Sequence, residues 1–556
     1  MNASERGLFC WYGIIDKYLK LVQDTKPMAS FAFDRWAYPE LTFDDVFILT
    51  NNPVLTQVLK ICTQEEGNLL DVRTGTPAER FATMLRLAEQ YGIGKSISRD
   101  TFDLTPKGSL AHIPLAIANM NNVTGQRMAE AIARVGGIAA IPQDKSDDEM
   151  ECVIDYLRSR NPAYETPVMV RVDAKIHELR RLLLKRGHDT AVVWSEESGL
   201  SQVSLDDIPD GVNEDSVITP FINGDVVTGN DGITPIEAIA LMERERVHYL
   251  PILGKGNQVI GVCTKMGAAM QLRYKPNLDP EGGLNAMYTI GAFNKNPLDR
   301  ARFLFDRKVR NILIDTAHFD QGVVPYRNIA KIRELALQMG VDVVITAGNV
   351  ITREATRNIL LAGADIVKGG IGPGAMCTTR MVTGVGRPQV SMIVDCAEEA
   401  HKQNGLFMAD GGIKYPRDVS IALAVGADYV MSGSLFAGTY ESPPDAQRDE
   451  HGYYKVNRGM AAARSSSLRT GQSLRSGHLE VFRDIVGHRS EGSEGSNVYL
   501  KPGKQSAALL AHSLMEGPTS TGTYVGAKNL LELQANAVLG MQTASGFQEG
   551  KASERL

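Results

Sequence analysis

One stretch of the 556-residue chain concentrates residue types suited to covalent chemistry: Gly369-Gly370-Ile371-Gly372-Pro373-Gly374-Ala375-Met376-Cys377-Thr378-Thr379-Arg380. Its glycines let backbone approach a ligand closely and let amides or carbonyls converge on an ion or a phosphate. A cysteine in a polar, glycine-rich loop is held as a thiolate more easily than one in an apolar helix, which makes Cys377, with Thr379 and Arg380 beside it, the candidate nucleophile. A lone cysteine is more often a small buried apolar residue, so the surrounding fold must decide. The run is not a dinucleotide fingerprint. The third glycine of G-x-G-x-x-G is missing, and no long helix opens directly after the turn.

Two further segments suit a nucleoside monophosphate. Asp410-Gly411-Gly412 supplies a carboxylate for ribose hydroxyls, and Ser432-Gly433-Ser434 supplies glycine amides for a phosphate. Either could be an ordinary turn. On successive strands beside the cysteine loop, coincidence is the weaker explanation.

These loops need elements to hold them. From about residue 113, short β-branched runs alternate with segments of helical period, the pattern of βα units around a parallel sheet. The candidate strands are Ile113–Ala118, Ile138–Ile141, Tyr288–Gly291, Asn311–Ile314, Val341–Thr346, Ala364–Lys368, Leu406–Ala409 and Asp428–Met431, with helices such as Gln126–Val135, Tyr326–Met339 and Val390–Lys402 between them. About eight strands predicts an α/β fold of the (β/α)8 TIM-barrel type, with an open doubly wound sheet as the alternative. In such a barrel, reactive groups sit on the loops after the strand C-termini, which is where all three segments fall.

The gap between the second and third strands exceeds any ordinary βα connection. Within it, Ile176-His177-Glu178-Leu179 through Ala191-Val192-Val193 matches Ile236-Glu237-Ala238-Ile239 through Pro251-Ile252-Leu253 in apolar pattern, sixty residues further on. Each copy reads as an amphipathic helix running into a strand, which predicts an inserted pair of similar α/β modules. Pro77–Gln90 reads as a helix before the first strand. After Gly438 the chain turns polar, and 440–496 is a candidate mobile flap or a disordered surface loop.

Composition bounds the functional class. With 43% hydrophobic and 22% charged residues, 53 glycines and a net charge of −6, the chain is neither disordered nor a dedicated nucleic-acid binder. Its six cysteines form no C-x-x-C pair, so neither a zinc site nor a disulfide framework is signalled, and a reducing, cytoplasmic setting is expected. No apolar run reaches the roughly 18 residues of a membrane span.

The loops together resemble the inosine monophosphate dehydrogenase/guanosine monophosphate reductase family. The likeness is carried by Gly370–Arg380 with Thr383-Gly384-Val385-Gly386, Ala347-Gly348-Asn349-Val350, Ala409-Asp410-Gly411-Gly412-Ile413, Gly433-Ser434-Leu435-Phe436-Ala437-Gly438 and Leu41-Thr42-Phe43-Asp44-Asp45-Val46, and it spans most of residues 40–545. The insert is similar to a pair of cystathionine-beta-synthase (CBS)-type modules. The resemblance implies that Cys377 attacks purine C2 to form a thioimidate, with Thr379 as the catalytic threonine. It places Asp410, Gly411, Gly412, Gly433, Ser434, Gly459 and Met460 on the nucleotide, and Asp315, Thr316, Ala317, Asn349 and Gly372 beside the nicotinamide. The carbonyls of Gly372, Gly374 and Cys377 would hold K+ or a similar monovalent cation.

The resemblance also implies a domain plan. It comprises an N-terminal extension (1–40), a first barrel part (41–145), the module pair (146–285), the rest of the barrel with a flap at about 440–500 (286–545), and a tail (546–556). It further implies a homotetramer or octamer, and regulatory ATP or GTP at the modules through Ser204 and Asp207 of the hydroxyl-x-x-Asp pattern. The second module, reading Thr264-Lys265-Met266-Gly267, lacks that acid, so at most one well-formed regulatory site is expected.

Family dehydrogenases carry an Arg-Tyr pair about a dozen residues before a Glu-Gly or Gln-Gly step. Here Gly477-His478-Leu479-Glu480 stands in that place before Glu491-Gly492, and no Arg-Tyr occurs there. Ala118-Asn119-Met120 and Thr523-Tyr524-Val525-Gly526-Ala527 also look reductase-like. The expected activity is therefore NADPH-dependent reduction of GMP to IMP and ammonia. IMP oxidation with NAD is the alternative, and a catalytically silent nucleotide-binding regulator is a third reading. The chain departs from the reductase pattern where Gly459-Met460 is followed by Ala461-Ala462-Ala463-Arg464 instead of a glutamate, which leaves Glu491 as the candidate proton donor. Phe319 stands where a glycine is common, a change expected to reshape the cofactor site.

Overall fold

The computed structural model describes residues 41–49, 98–195, 199–457 and 495–550. The expected helix at Pro77–Gln90 and the extension 1–40 lie outside them. The described chain opens with strand β1 (Val46–Leu49), followed by β2 (Leu115–Ile117), α1 (Gln126–Arg134), β3 (Ile138–Ile141) and α2 (Asp147–Arg158). Helix α2 starts at a capping box in which Ser146 and Glu149 satisfy each other's backbone amides.

Two small units follow. The first is β4 (Met169–Val170), α3 (Ile176–Leu184), β5 (Thr190–Ser195) and β6 (Gly199–Ser204). The second repeats it as β7 (Gly229–Asn230), α4 (Pro235–Arg244), β8 (Tyr249–Leu253) and β9 (Val259–Thr264), closed by α5 (Lys265–Arg273). Each forms a three-stranded sheet with its helix-supplying half-repeat in the same order. In both, the first strand pairs parallel with the second and the second antiparallel with the third. The repeat read from the helix–strand pattern is therefore a repeat of topology.

The chain then alternates β10 (Met287–Gly291), α6 (Pro297–Asp306), β11 (Asn311–Asp315), α7 (Val323–Gln338), β12 (Val344–Val350), α8 (Arg353–Leu361) and β13 (Ile366–Gly369). It continues through α9 (Thr379–Thr383), α10 (Gln389–Lys402), β14 (Leu406–Asp410), α11 (Pro416–Ala424) and β15 (Tyr429–Ser432). Strands β10 to β15 with β2 and β3 close into a parallel barrel. All eight expected strands are its staves, and the open-sheet alternative falls.

Period-2 alternation explains the closure. Ala116, Ile138, Ala140, Met287, Leu313, Ile366, Met408 and Met431 fill the interior as one buried cluster. Their neighbours, among them Leu115, Ile117, Ala139, Ile141, Ile290, Ile312 and Ile314, pack outward with residues of the surrounding helices.

The segment expected to be irregular after Gly438 is partly regular. Strands β16 (Gln447–Asp449), β17 (Gly452–Asn457) and β18 (Ser496–Tyr499) form an antiparallel sheet, and β17 and β18 bracket residues 458–494, which lie outside the described ones. Helices α12 (Ala507–Val525) and α13 (Leu530–Asn536) pack on the barrel, and β19 (Val538–Met541) returns to pair with β1. Among the described residues no helix is long and apolar enough to cross a membrane.

The first small unit docks on the barrel through a buried charge cluster. Glu130 of α1 accepts Arg186 Nη1 at 2.8 Å, Thr166 Oγ1 at 2.6 Å and Arg134 Nη1 at 2.5 Å. Burial alone would raise the Glu130 pKa, but Arg134 and Arg186 outweigh it and hold the carboxyl far below its ordinary range.

Candidate active site

The C-terminal ends of β11, β12, β13 and β14 carry a polar cluster on an otherwise apolar barrel. At its centre is Lys368, next to last in β13, with a side chain only 2% exposed. Its ammonium lies 2.9 Å from Asp315 Oδ1, 2.7 Å from Asp410 Oδ2 and within hydrogen-bonding reach of Asn349 Oδ1. Burial disfavours the charged amine, but Asp315 and Asp410 outweigh it and raise its pKa above the ordinary lysine value. Asn349 Nδ2 donates to Asp410 Oδ2 at 2.9 Å and to the Gly370 carbonyl at 2.7 Å. Asn119 Nδ2 donates to Asp315 Oδ2 at 3.1 Å.

Expected nucleotide and cofactor residues are thus joined in one hydrogen-bonded group. Sequence reasoning missed Lys368 and Asn119 as site residues. A charge closing a buried strand at the reactive face of a barrel was the available signal for Lys368.

The cysteine loop follows β13. Cys377 is exposed, and its sulfur lies 3.1 Å from the hydroxyl of Thr379, the first residue of α9. The Cys377 amide donates to the Gly374 carbonyl at 3.0 Å, which folds the loop into a turn. Gly372 has a φ of +85°, and a Cβ there would stand 2.4 Å from Arg380 Cγ, so only glycine lets the arginine pack across the loop. Arg380 reaches the Ile371 and Arg387 carbonyls from that position.

The Asp410 loop lies against the cysteine loop: a Cβ on Gly411, whose φ is +87°, would stand 3.1 Å from Pro373. Buried Phe43 backs Gly412, and Arg417 clamps the Phe43 and Val46 carbonyls at 2.8 and 2.7 Å. The N-terminal Leu41–Val46 motif therefore supports the loop after β14. Gly433 follows β15 against Met120, and Ser434 opens a short 3-10 turn to Gly438.

Thr316 and Asn349 exchange backbone hydrogen bonds between neighbouring loops, Thr316 donating to Gly348 and Asn349 to Thr316, each at 2.9 Å, and Ala317 beside them is exposed. Phe319 does not reshape this surface with its ring, contrary to expectation: it is fully buried, edge-on to Tyr326 in the core. Gly459, Met460 and Glu491 lie outside the described residues. The strands bracketing that stretch are rooted at the site, since Ser496 Oγ of β18 donates to Met376 Sδ of the cysteine loop at 3.6 Å.

In the inserted units, Ser204 Oγ accepts the Asp206 amide at 3.3 Å, and Asp207 is exposed. The matching Thr264 hydroxyl likewise accepts a backbone amide, that of Gly267 at 2.9 Å, and also donates to Glu165 at 2.7 Å.

A closed (β/α)8 barrel with an exposed cysteine and a charged cluster at its strand C-termini defines an enzyme of the TIM-barrel class. Residues 95–553 match the model of the IMP dehydrogenase / GMP reductase domain. The chain is 39% identical to GMP reductases of Mycobacterium tuberculosis and Mycobacterium bovis over 456 residues, 82% of this chain and 92% of theirs. It is 33% identical to the inosine-5'-monophosphate dehydrogenase of Bacillus subtilis over 449 residues, 79% of this chain and 88% of that one. A solved GMP reductase of Trypanosoma brucei, in complex with guanosine 5'-monophosphate, shares the fold with a TM-score of 0.59 at 24% identity, covering 95% of this chain and all of that one. The chain belongs to the IMP dehydrogenase/GMP reductase family of oxidoreductases.

Proposed function

We propose that the protein is a GMP reductase, converting GMP to IMP and ammonia with NADPH. The observation that carries the chemistry is the exposed Cys377 sulfur, 3.1 Å from the Thr379 hydroxyl at the barrel's reactive face. The branch is supported by greater identity to the mycobacterial GMP reductases than to the B. subtilis dehydrogenase, and by the lack of an Arg-Tyr pair in the stretch before Glu491-Gly492 to activate water.

On this reading Asp410 accepts the ribose hydroxyls and the amides of Gly412, Gly433 and Ser434 donate to the phosphate, while Gly411, whose amide already donates to the Met431 carbonyl at 3.2 Å, shapes the loop beside them, with Gly459 and Met460 completing the nucleotide site. The Cys377 thiolate adds to purine C2. The C2–N bond breaks, and ammonia leaves with a proton supplied from Thr379 or Glu491, leaving a C2 thioimidate. The nicotinamide, when bound, supplies a hydride to C2. The C–S bond then breaks, the electron pair returns to the Cys377 sulfur, and IMP is released.

Asp315, Thr316, Ala317, Asn349 and Gly372 would hold the cofactor. The fit rests on Asp315 and Asn349, whose polar atoms are already oriented by Lys368, Asn119 and Gly370. The carbonyls of Gly372, Gly374 and Cys377 would hold a potassium-like cation. Gly374 accepts the Cys377 amide at 3.0 Å and keeps a second lone pair. No step needs the cation.

The inserted units we read as CBS-type modules with one regulatory purine-nucleotide site at Ser204 and Asp207; the expected bounds 146–285 are too wide, since Met150, Val153, Ile154 and Leu157 of α2 and Tyr274 and Leu284 pack in the barrel core while the module cores run from Tyr164 to Ala268. An unchanged melting temperature and activity with ATP and GTP would remove that part. A cytoplasmic homotetramer or octamer completes the reading.

A paired spectrophotometric assay tests it: GMP should drive NADPH loss, and IMP should not drive NADH formation. IMP turnover with NAD and no GMP turnover would establish the dehydrogenase instead; binding without turnover in either direction would leave a silent regulator.

A further inference from the structure

We propose that Lys368 is a positioning residue that couples the two substrate subsites, one buried ammonium setting both the carboxylate that meets the nucleotide and the carboxylate that meets the cofactor. The inference rests on the reading of Asp410 and Asp315 just given. An ammonium has three N–H groups. Lys368 has three acceptors for them, on Asp315, Asp410 and Asn349, and lies beneath carboxylates that are themselves about a fifth exposed. No donor is left for a ligand, so Lys368 acts through its partners.

The partners divide between subsites. Asp315 ends β11 and takes Lys368 on Oδ1 and Asn119 on Oδ2. Asp410 ends β14 and takes Lys368 and Asn349 on Oδ2. Among the described residues nothing hydrogen-bonds Asp410 Oδ1, so that oxygen is free for a hydroxyl of the ligand. Two carboxylates with one ammonium leave the cluster one negative charge. Without Lys368, two like charges would face each other in a partly buried site with no cation between them, and neither carboxylate would be held in its present orientation.

The test compares Lys368→Met with the charge-compensated double variant Lys368→Met/Asp315→Asn, which restores the single negative charge. GMP binding is measured by calorimetry without cofactor and NADPH binding by fluorescence without GMP. Lys368→Met should weaken both ligands roughly tenfold or more, the scale of a lost charged hydrogen bond. The double variant should recover GMP binding while NADPH stays weak. A merely space-filling lysine would gain nothing from Asp315→Asn, so an unrecovered GMP affinity overturns the inference, as does a single variant that weakens one ligand or neither. If Lys368→Met does not fold, the double variant decides alone: folded with GMP bound and NADPH weak supports the coupling, and any other result overturns it. A wild-type chain that takes IMP and NAD but not GMP would end the reductase reading only, because the same variants are then titrated with those ligands, which share the ribose phosphate and the nicotinamide.

Discussion

The Cys377 sulfur sits 3.1 Å from the Thr379 hydroxyl, with Thr379 buried at the start of a short helix and Cys377 exposed ahead of it. A nucleophile on a loop is thereby paired with a proton-carrying group on a fixed element. Cys377→Ala should bind GMP yet give no turnover and no base-linked peptide by mass spectrometry. Thr379→Val should lower kcat by about 10²–10⁴-fold, the usual worth of positioned acid–base help, with a much smaller change in KM. Retained turnover in Cys377→Ala would end the covalent mechanism.

Among the described residues, Asp410 presents one carboxylate oxygen without a partner, beside glycines that admit a phosphate. Asp410→Asn should raise KM for GMP by roughly ten- to a hundredfold through loss of a charged hydrogen bond to the ribose. Steady-state kinetics at saturating NADPH reads this directly. An unchanged KM would move the ribose elsewhere.

Glu130, itself fully buried, ties the barrel to the first inserted unit through the partly buried Arg186 at 2.8 Å. Arg186→Met leaves the carboxylate with Arg134 as its cation beside the Thr166 and Tyr156 hydroxyls, and should cost about 3–5 kcal/mol in unfolding experiments. The Glu130 pKa is lower folded than its unfolded value of 4.5. Its contribution is therefore complete above pH 4.5 and is lost as pH falls toward the folded value. The stability gap between wild type and Glu130→Gln should narrow on acidification, and a gap constant from pH 7 to 3 would contradict the assignment.

Much of this architecture is legible in the sequence because it rests on local periodicity. Strands buried on both faces read as continuous apolar runs, and all eight were located to within a few residues, Ile138–Ile141 at both ends. The module repeat was legible for the same reason. Cys377 and Asp410 stood out because glycine-rich loops mark reactive backbone. Lys368 did not, since its meaning depends on Asp315 and Asp410, 53 residues before it and 42 after it in the chain, meeting only when the barrel closes. Phe319 misled for the mirror reason: position in a loop does not say which way a ring turns. The sheet of β16, β17 and β18 was missed because polar composition hid a short alternating pattern.

Lys455 of β17 is fully buried, its amine donating to the Tyr440 and Ser442 carbonyls at 3.0 and 2.9 Å. Burial, with Arg127 adding repulsion, lowers its pKa from 10.5 to about 7, against partial support from Glu441 and Asp445 and with Lys185 also opposing the charge. In the unfolded chain the amine keeps its proton up to about pH 10.5, whereas the folded chain releases it near 7. Across that window the unfolded state binds more protons, so raising the pH favours folding, by up to about 1.4 kcal/mol per pH unit. Below pH 7 both states are protonated and the cost of burying the charge is fully felt. Wild type should therefore gain on Lys455→Met in denaturant midpoint as pH rises from 7 toward 10. The two carbonyls the amine serves, of Tyr440 and Ser442, lie two and four residues beyond Gly438, on the segment that follows the last barrel strand. A midpoint difference independent of pH over this range would show that the amine is as well solvated in the fold as outside it.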